Sequence, residues 1–187
     1  FMFFGVINLI SIDLSEFNAS NVISMNSMFK DCSKLERVYF GKMNTSSVIY
    51  MNYLFHECIM LTFIDLTYLD TSNVITMSHI FSKCNIIKSV DVSNFKTSKV
   101  TDMEDLFSYC YELVSIDLSN FNTSNVQVMK GMFFCCINLR YLDLRDFNGS
   151  SVMTLEYIFC SCFSLKYLNL KNFNNTNENV NFGNSIE

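Results

Sequence analysis

The chain has 187 residues, half of them apolar, with 13 basic and 18 acidic side chains for a formal net charge of -5. That length supports one domain with a real core, and an acidic balance without a basic run removes the electrostatic term that drives nucleic-acid binding. No apolar stretch reaches the roughly 18 residues needed to span a bilayer, because "FMFFGVINLISIDL" is interrupted by Asn8, Ser11 and Asp13.

The opening residues read as the tail of a repeating unit. Met2, Phe3 and Val6 match Met28, Phe29 and Cys32 at a spacing of 26. The apolar start is therefore expected to be repeat sequence, not a signal peptide, and it lacks a basic n-region and a small-residue cleavage site. Starting with Phe, the chain looks like a mature piece or a fragment.

The spacing of 26 runs through three columns: Cys32, Cys58, Cys84, Cys110, Cys136 and Cys162; Phe29, Phe55, Phe81, Phe107, Phe133 and Phe159; and Ser20, Ser46, Ser72, Ser98, Ser124 and Ser150. Three columns in strict register define a repeat architecture. Within the first unit, Leu9, Ile12, Leu14 and Phe17 give L-x-x-L-x-L followed by an aromatic, and the alternation at 12–14 predicts a strand with one buried face. A polar turn follows. Val22, Met25, Met28, Phe29 and Cys32 then fall at three- and four-residue steps, which predicts a short helix. A unit of this size cannot bury its apolar face alone, so neighbouring units are expected to stack their strands in parallel about 4.8 Å apart. The expected fold is an α/β solenoid of about seven units, with a parallel sheet on one face and short helices on the other. Residues 1–6 are a partial unit. Full units cover 7–32, 33–58, 59–84, 85–110, 111–136 and 137–162, and an irregular last one covers 163–187, where the valine arrives two residues late as Val180 and "NSI" at 184–186 echoes "NSM" at 26–28.

Units such as "LVSIDLSNFNTSNVQVMKGMFFCC", residues 113–136, resemble the repeats of BspA-like leucine-rich-repeat surface proteins, through the D-L-S-N-F, T-S-N-V and M-F-x-x-C elements at fixed spacing. The resemblance implies a leucine-rich-repeat fold in a surface-exposed, non-catalytic protein used for adhesion or as a structural coat. It departs from the pattern at Tyr39, where a strand Asp is usual, and at "FGKM", residues 40–43.

Several columns are candidates for function. Asn18, Asn44, Asn122, Asn148 and Asn174 each open an Asn-x-Ser/Thr acceptor, interrupted by Asp70 and Lys96 in the same column. They are expected to form an exposed row that a eukaryotic secretory pathway could glycosylate. Asn also suits a turn, with the Ser two residues on as a buried ladder. The cysteine ladder is expected to hold free thiols, since a small buried hydrophobe packs there as well as a disulfide would. Cys135 and Cys160, outside the ladder, are the candidates for one bridge. A linear thiol row does not suggest zinc, and His56 and His79 are read as surface residues.

Asp13, Asp65, Asp91, Asp117 and Asp143 form an outward row on the expected concave face. Stacked like charges repel, so Asp91, Asp117 and Asp143 call for water, hydroxyl partners such as Ser93 and Ser119, or a calcium ion. No other cofactor is expected. Tyr39, Phe63, Tyr141 and Tyr167 should lie exposed on the same face, where aromatics suit a protein or a sugar partner. The Tyr141 and Tyr167 end is the better binding patch. Nothing in the spacing resembles a catalytic constellation, because a uniform carboxylate row lacks the asymmetry that separates acid from base.

The sequence therefore favours a non-catalytic extracellular or cell-surface protein for structure or adhesion, with copies able to associate head to tail. An intracellular protein-binding scaffold is the alternative, with every thiol reduced. A carbohydrate-binding module is the third reading.

Overall fold

The computed structural model describes residues 1–174. Val180 and the echo at 184–186 lie outside them. Each 26-residue unit forms one coil, and coils 1 to 6 below are the units beginning at residues 7, 33, 59, 85, 111 and 137.

Five short strands line one face: β1 (Ser11–Asp13), β2 (Arg37–Tyr39), β3 (Phe63–Asp65), β4 (Tyr141–Asp143) and β5 (Tyr167–Asn169). They pair in parallel as β1-β2-β3 and as β4-β5, each partner 26 residues on, as in Ile12 with Val38 and Val38 with Ile64. Between the two sheets, coils 4 and 5 keep only the Ser115–Tyr141 bridge. A second parallel ladder joins Ser24, Tyr50, Thr76, Asp102, Val128 and Thr154.

The expected helices do not form among the described residues. Residues 25–32 and their equivalents instead make consecutive tight turns. Met28 and Cys32 donate N–H bonds to the carbonyls three residues back, at Met25 and Phe29. The third residue of each turn has positive φ, 54° at Ser27 and 62° at Asp31, as a type II turn requires. Alternate N–H groups leave the coil: Met25, Ser27, Phe29 and Asp31 donate to the carbonyls of Tyr50, Asn52, Leu54 and His56 at 2.8 to 2.9 Å. Coils 2 to 5 repeat the pattern, always from one coil to the next. A residue in the left-handed region breaks an α-helix, and here one occurs every fourth position. The three- and four-residue steps nevertheless bury the side chains a helix would have buried: Met25, Met28, Phe29 and Cys32 are all core.

Packing follows from the stacking. Phe29, Phe55, Phe81, Phe107, Phe133 and Phe159, with Phe3 below, stack ring on ring at 5.4 to 6.1 Å. Each ladder cysteine donates its thiol to the Phe carbonyl of the preceding coil, as Cys58 to Phe29 at 3.1 Å and Cys110 to Phe81 at 3.2 Å. All eight cysteines are free. Burial pushes Cys110 up to about 12.

The buried polar ladder is threonine, not the serine expected from the acceptor motifs. Thr45, Thr71, Thr97 and Thr123 are buried. Each accepts the N–H of the residue 25 positions on and donates to its carbonyl, as Thr97 does with Asn122 at 2.8 and 3.0 Å. The serines stay at or near the surface because their partner is local: Ser124 donates both its N–H and its hydroxyl to Asn122 Oδ1, at 3.0 and 2.7 Å.

Candidate functional site

The strand face carries the candidate site. Alternation along β4 and β5 turns Leu142 and Leu168 inward and leaves Tyr141 and Tyr167 exposed. Parallel register places the two tyrosines side by side, and their rings stack at 4.4 Å with 2° between planes. Partial desolvation and the neighbouring Tyr167 hydroxyl raise Tyr141 above the ordinary phenol range. At the other sheet Tyr39 meets Phe63 at 5.4 Å, tilted by 44°. The four expected aromatics therefore form two pairs at separate places.

Two residues past Tyr141, Asp143 Oδ2 accepts a bond from Arg145 Nε at 2.8 Å and pairs with its Nη2. Arg145 holds Asp143 below the usual carboxylate range. Beside this pair lies an open depression of about 550 Å³, lined by residues that include Ser115, Asp117, Ser119, Tyr141, Asp143 and Arg145. Arg145 was not singled out from sequence. Arg145 sits where other coils carry Ser or Thr after the Asp, and that departure was the available signal.

The Asp row has hydroxyl and amide partners. Asp13, Asp65, Asp91, Asp117 and Asp143 each accept the N–H two residues on, at 2.9 to 3.1 Å, closing an Asx turn at the strand end. The Ser93 hydroxyl and the Ser119 amide are the largest causes holding Asp91 and Asp117 below the ordinary range.

Asn18, Asn44, Asn122, Asn148 and Asn174 are all exposed. Asn18, Asn44 and Asn122 hold the hydroxyl of the acceptor serine on Oδ1 at 2.7 to 2.8 Å, which leaves the amide nitrogen pointing away from that bond. Cys135 and Cys160 are free thiols on adjoining coils, joined through the Cys135 N–H to the Cys160 carbonyl at 2.9 Å. His56 and His79 are not surface residues. Their side chains are only 12% and 16% exposed, and burial holds His56 down at about 4 and lowers His79. Periodicity could not place them, because the turn wall was read as a helix.

Among protein families, the one described as "Mycoplasma protein of unknown function, DUF285" matches residues 1–90 and again 77–185. The chain belongs to this family. For the family's fold, a solved structure is informative: the T. pallidum leucine-rich repeat protein superposes with a TM-score of 0.58 at 24% identity, covering 86% of this chain and 69% of its own. A leucine-rich repeat protein from Bacteroides ovatus gives a TM-score of 0.48 at 19% identity, over 95% of this chain and 46% of its own. A leucine rich cell surface protein from Faecalibacterium prausnitzii gives 0.22 at 15% identity, over 86% of this chain and 82% of its own. No curated protein matches. This member of the family thus has a leucine-rich-repeat-like fold with parallel strands.

Proposed function

We propose that the chain is a non-catalytic surface protein that recognises a protein partner through its strand face. The observation that carries this reading is the exposed Tyr141–Tyr167 stack beside the Asp143–Arg145 pair. Tyrosine and arginine are enriched where interfaces concentrate their energy, and a stacked pair loses little side-chain freedom on binding. Stacking also covers one face of each ring, which leaves less aromatic surface for a sugar and favours the protein partner over the glycan. An extracellular location agrees with the exposed acceptor row, which a eukaryotic secretory pathway could use for sugar. Head-to-tail association of copies fits the turn-wall ladder, since a coil offers N–H groups on one side and carbonyls on the other.

The test is binding of the labelled chain to a printed panel of extracellular proteins and glycans, alongside a Tyr141→Ser/Tyr167→Ser variant. A protein signal that the variant weakens at least about tenfold supports the reading. Binding that ignores both substitutions overturns it, and calcium-dependent binding to glycans alone would put the carbohydrate module in its place. Protease shaving of intact source cells tests the location; a chain cut only after lysis would favour the intracellular scaffold. Light scattering against concentration tests self-association, which a monomer at every concentration removes.

A further inference from the structure

The turn wall brings together chemistry that the strand face does not use. The left-handed column that starts at Ser27 continues through Tyr53, His79, Asp105 and Gly131, so these four sit one above another in coils 2 to 5. Tyr53 lies flat on the His79 ring at 4.5 Å with 7° between planes, which fixes the imidazole. In the next coil, Asp105 Oδ2 is 3.6 Å from His79 Nδ1, too far for a hydrogen bond. One coil further on, Gly131 leaves room for that carboxylate: a Cβ there would overlap Asp105 Oδ1. The His79 N–H bonds the Glu104 carbonyl at 2.8 Å and pins the two coils together. Ligand atoms of His79, Glu104 and Asp105 all lie within 4.8 Å of one another.

Two features of this cluster ask for an occupant. His79 Nδ1 is buried and has no hydrogen-bond partner among the described residues, an arrangement for which a bound ion or water is one explanation. Two carboxylates also lie beside that imidazole, Asp105 at 3.6 Å from Nδ1 and Glu104 within ligand reach, and Lys130, 3.6 Å from Glu104 Oε1, offsets only part of their charge. A water molecule would satisfy the imidazole and leave the carboxylates facing each other. A cation would satisfy all three.

We propose that His79, Glu104 and Asp105 form a site for a divalent transition-metal ion of the zinc class. One imidazole nitrogen and two carboxylates are a donor set that such ions accept, with remaining positions filled by solvent. With ligand atoms up to 4.8 Å apart, the pairs need to close by at most about 1.5 Å to reach the spacing of a tetrahedral shell. Because His79 belongs to coil 3 and both acids to coil 4, the bound ion is a clip between coils. It therefore stabilises the stack by mass action.

The chain contains two histidines, so a ¹H–¹⁵N imidazole spectrum of the chelator-treated protein reads both rings, and Zn²⁺ alone is the probe. The expected result is a saturable shift of the His79 ring at one equivalent, clearly larger than that of the His56 ring packed 5.9 Å away, together with a raised melting temperature. Glu104→Gln and Asp105→Asn should each weaken that titration by at least about tenfold. Three outcomes overturn the proposal: no His79 shift up to about 1 mM Zn²⁺, which leaves water as the occupant; equal shifts of both rings, which means adventitious binding; or an Asp105→Asn titration like that of the wild type. The wild-type spectrum is decisive even where a variant fails to fold. Zinc held by the partly exposed thiols of Cys135, Cys160 or Cys162 would leave the His79 ring unmoved and so counts against the site.

Discussion

The thiol of Cys110 donates to the carbonyl of Phe81 in the preceding coil at 3.2 Å, and that carbonyl also accepts the Cys84 N–H of its own coil. The cysteine column thus ties coils together with S–H donors in place of disulfides. Cys58, Cys84, Cys110 and Cys136 are buried with thiols raised by desolvation, whereas Cys135 and Cys160 are partly exposed. In native protein at pH 8, iodoacetamide should label Cys135 and Cys160 first and leave Cys58, Cys84, Cys110 and Cys136 untouched until the chain unfolds. Peptide mass mapping over time checks this. Early labelling of Cys84 or Cys110 would contradict the packing.

Thr97→Val keeps the shape of a buried side chain and removes its hydroxyl. The Asn122 N–H then loses its acceptor and the Asn122 carbonyl its donor, at a cost of about 1 to 3 kcal/mol. Ser98→Ala, one residue on and exposed, should stay within about 0.5 kcal/mol of wild type. Urea midpoints for the pair measure the difference.

Gly131→Ala should destabilise by about 1 to 3 kcal/mol. Gly131 has φ of 59°, and the new methyl would meet the Asp105 carboxylate. Gly5→Ala makes the comparison clean, because its φ is 68° but a Cβ there meets nothing within 4 Å. Thermal melts should show the larger loss at Gly131.

Asp91 and Asp117 are held below the ordinary carboxylate range by the hydroxyl and amide of Ser93 and Ser119. A folded pKa below the unfolded one contributes stability that is present above the unfolded pKa and lost as pH falls through the folded one. The double variant Asp91→Asn/Asp117→Asn keeps an acceptor for each turn, as Asn169 does for Lys171. It should be less stable than wild type near neutral pH, where the ionised carboxylates contribute, and converge with it as pH falls below about 4, so that its own acid loss is smaller. Urea titrations at both pH values decide, and an unchanged acid loss would mean these two carboxylates do not contribute to it.

The columns that build the core were legible in the sequence because stacking copies one environment 26 residues along, and so Phe29, Phe55 and Cys58 share a fate. The secondary structure of the wall was not. Steps of three and four residues mark an apolar face, and a run of type II turns produces that face as well as a helix does. The distinguishing signal was backbone chemistry: the columns of Ser27 and Asp31 contain no Val, Ile or Thr, and both accept glycine, at Gly131 and Gly5. β-branched residues are strongly disfavoured at positive φ. The candidate site was half legible. Tyr141 and Tyr167 were placed by register alone, whereas Arg145 became visible only through its partner Asp143, and His79 only once Tyr53 and Asp105 were seen in the same stack.

The one-way ladder of the turn wall has a kinetic consequence. A finished coil presents a row of N–H donors to the segment that has yet to be made, while its own carbonyls are already engaged by the coil before it. A chain emerging from the ribosome can therefore dock each new coil onto a completed template, closing loops of one repeat length at modest entropic cost. Assembly would proceed as a moving front from the N-terminal end, and a defect such as Gly131→Ala would stall everything downstream of it while leaving coils 1 to 4 formed.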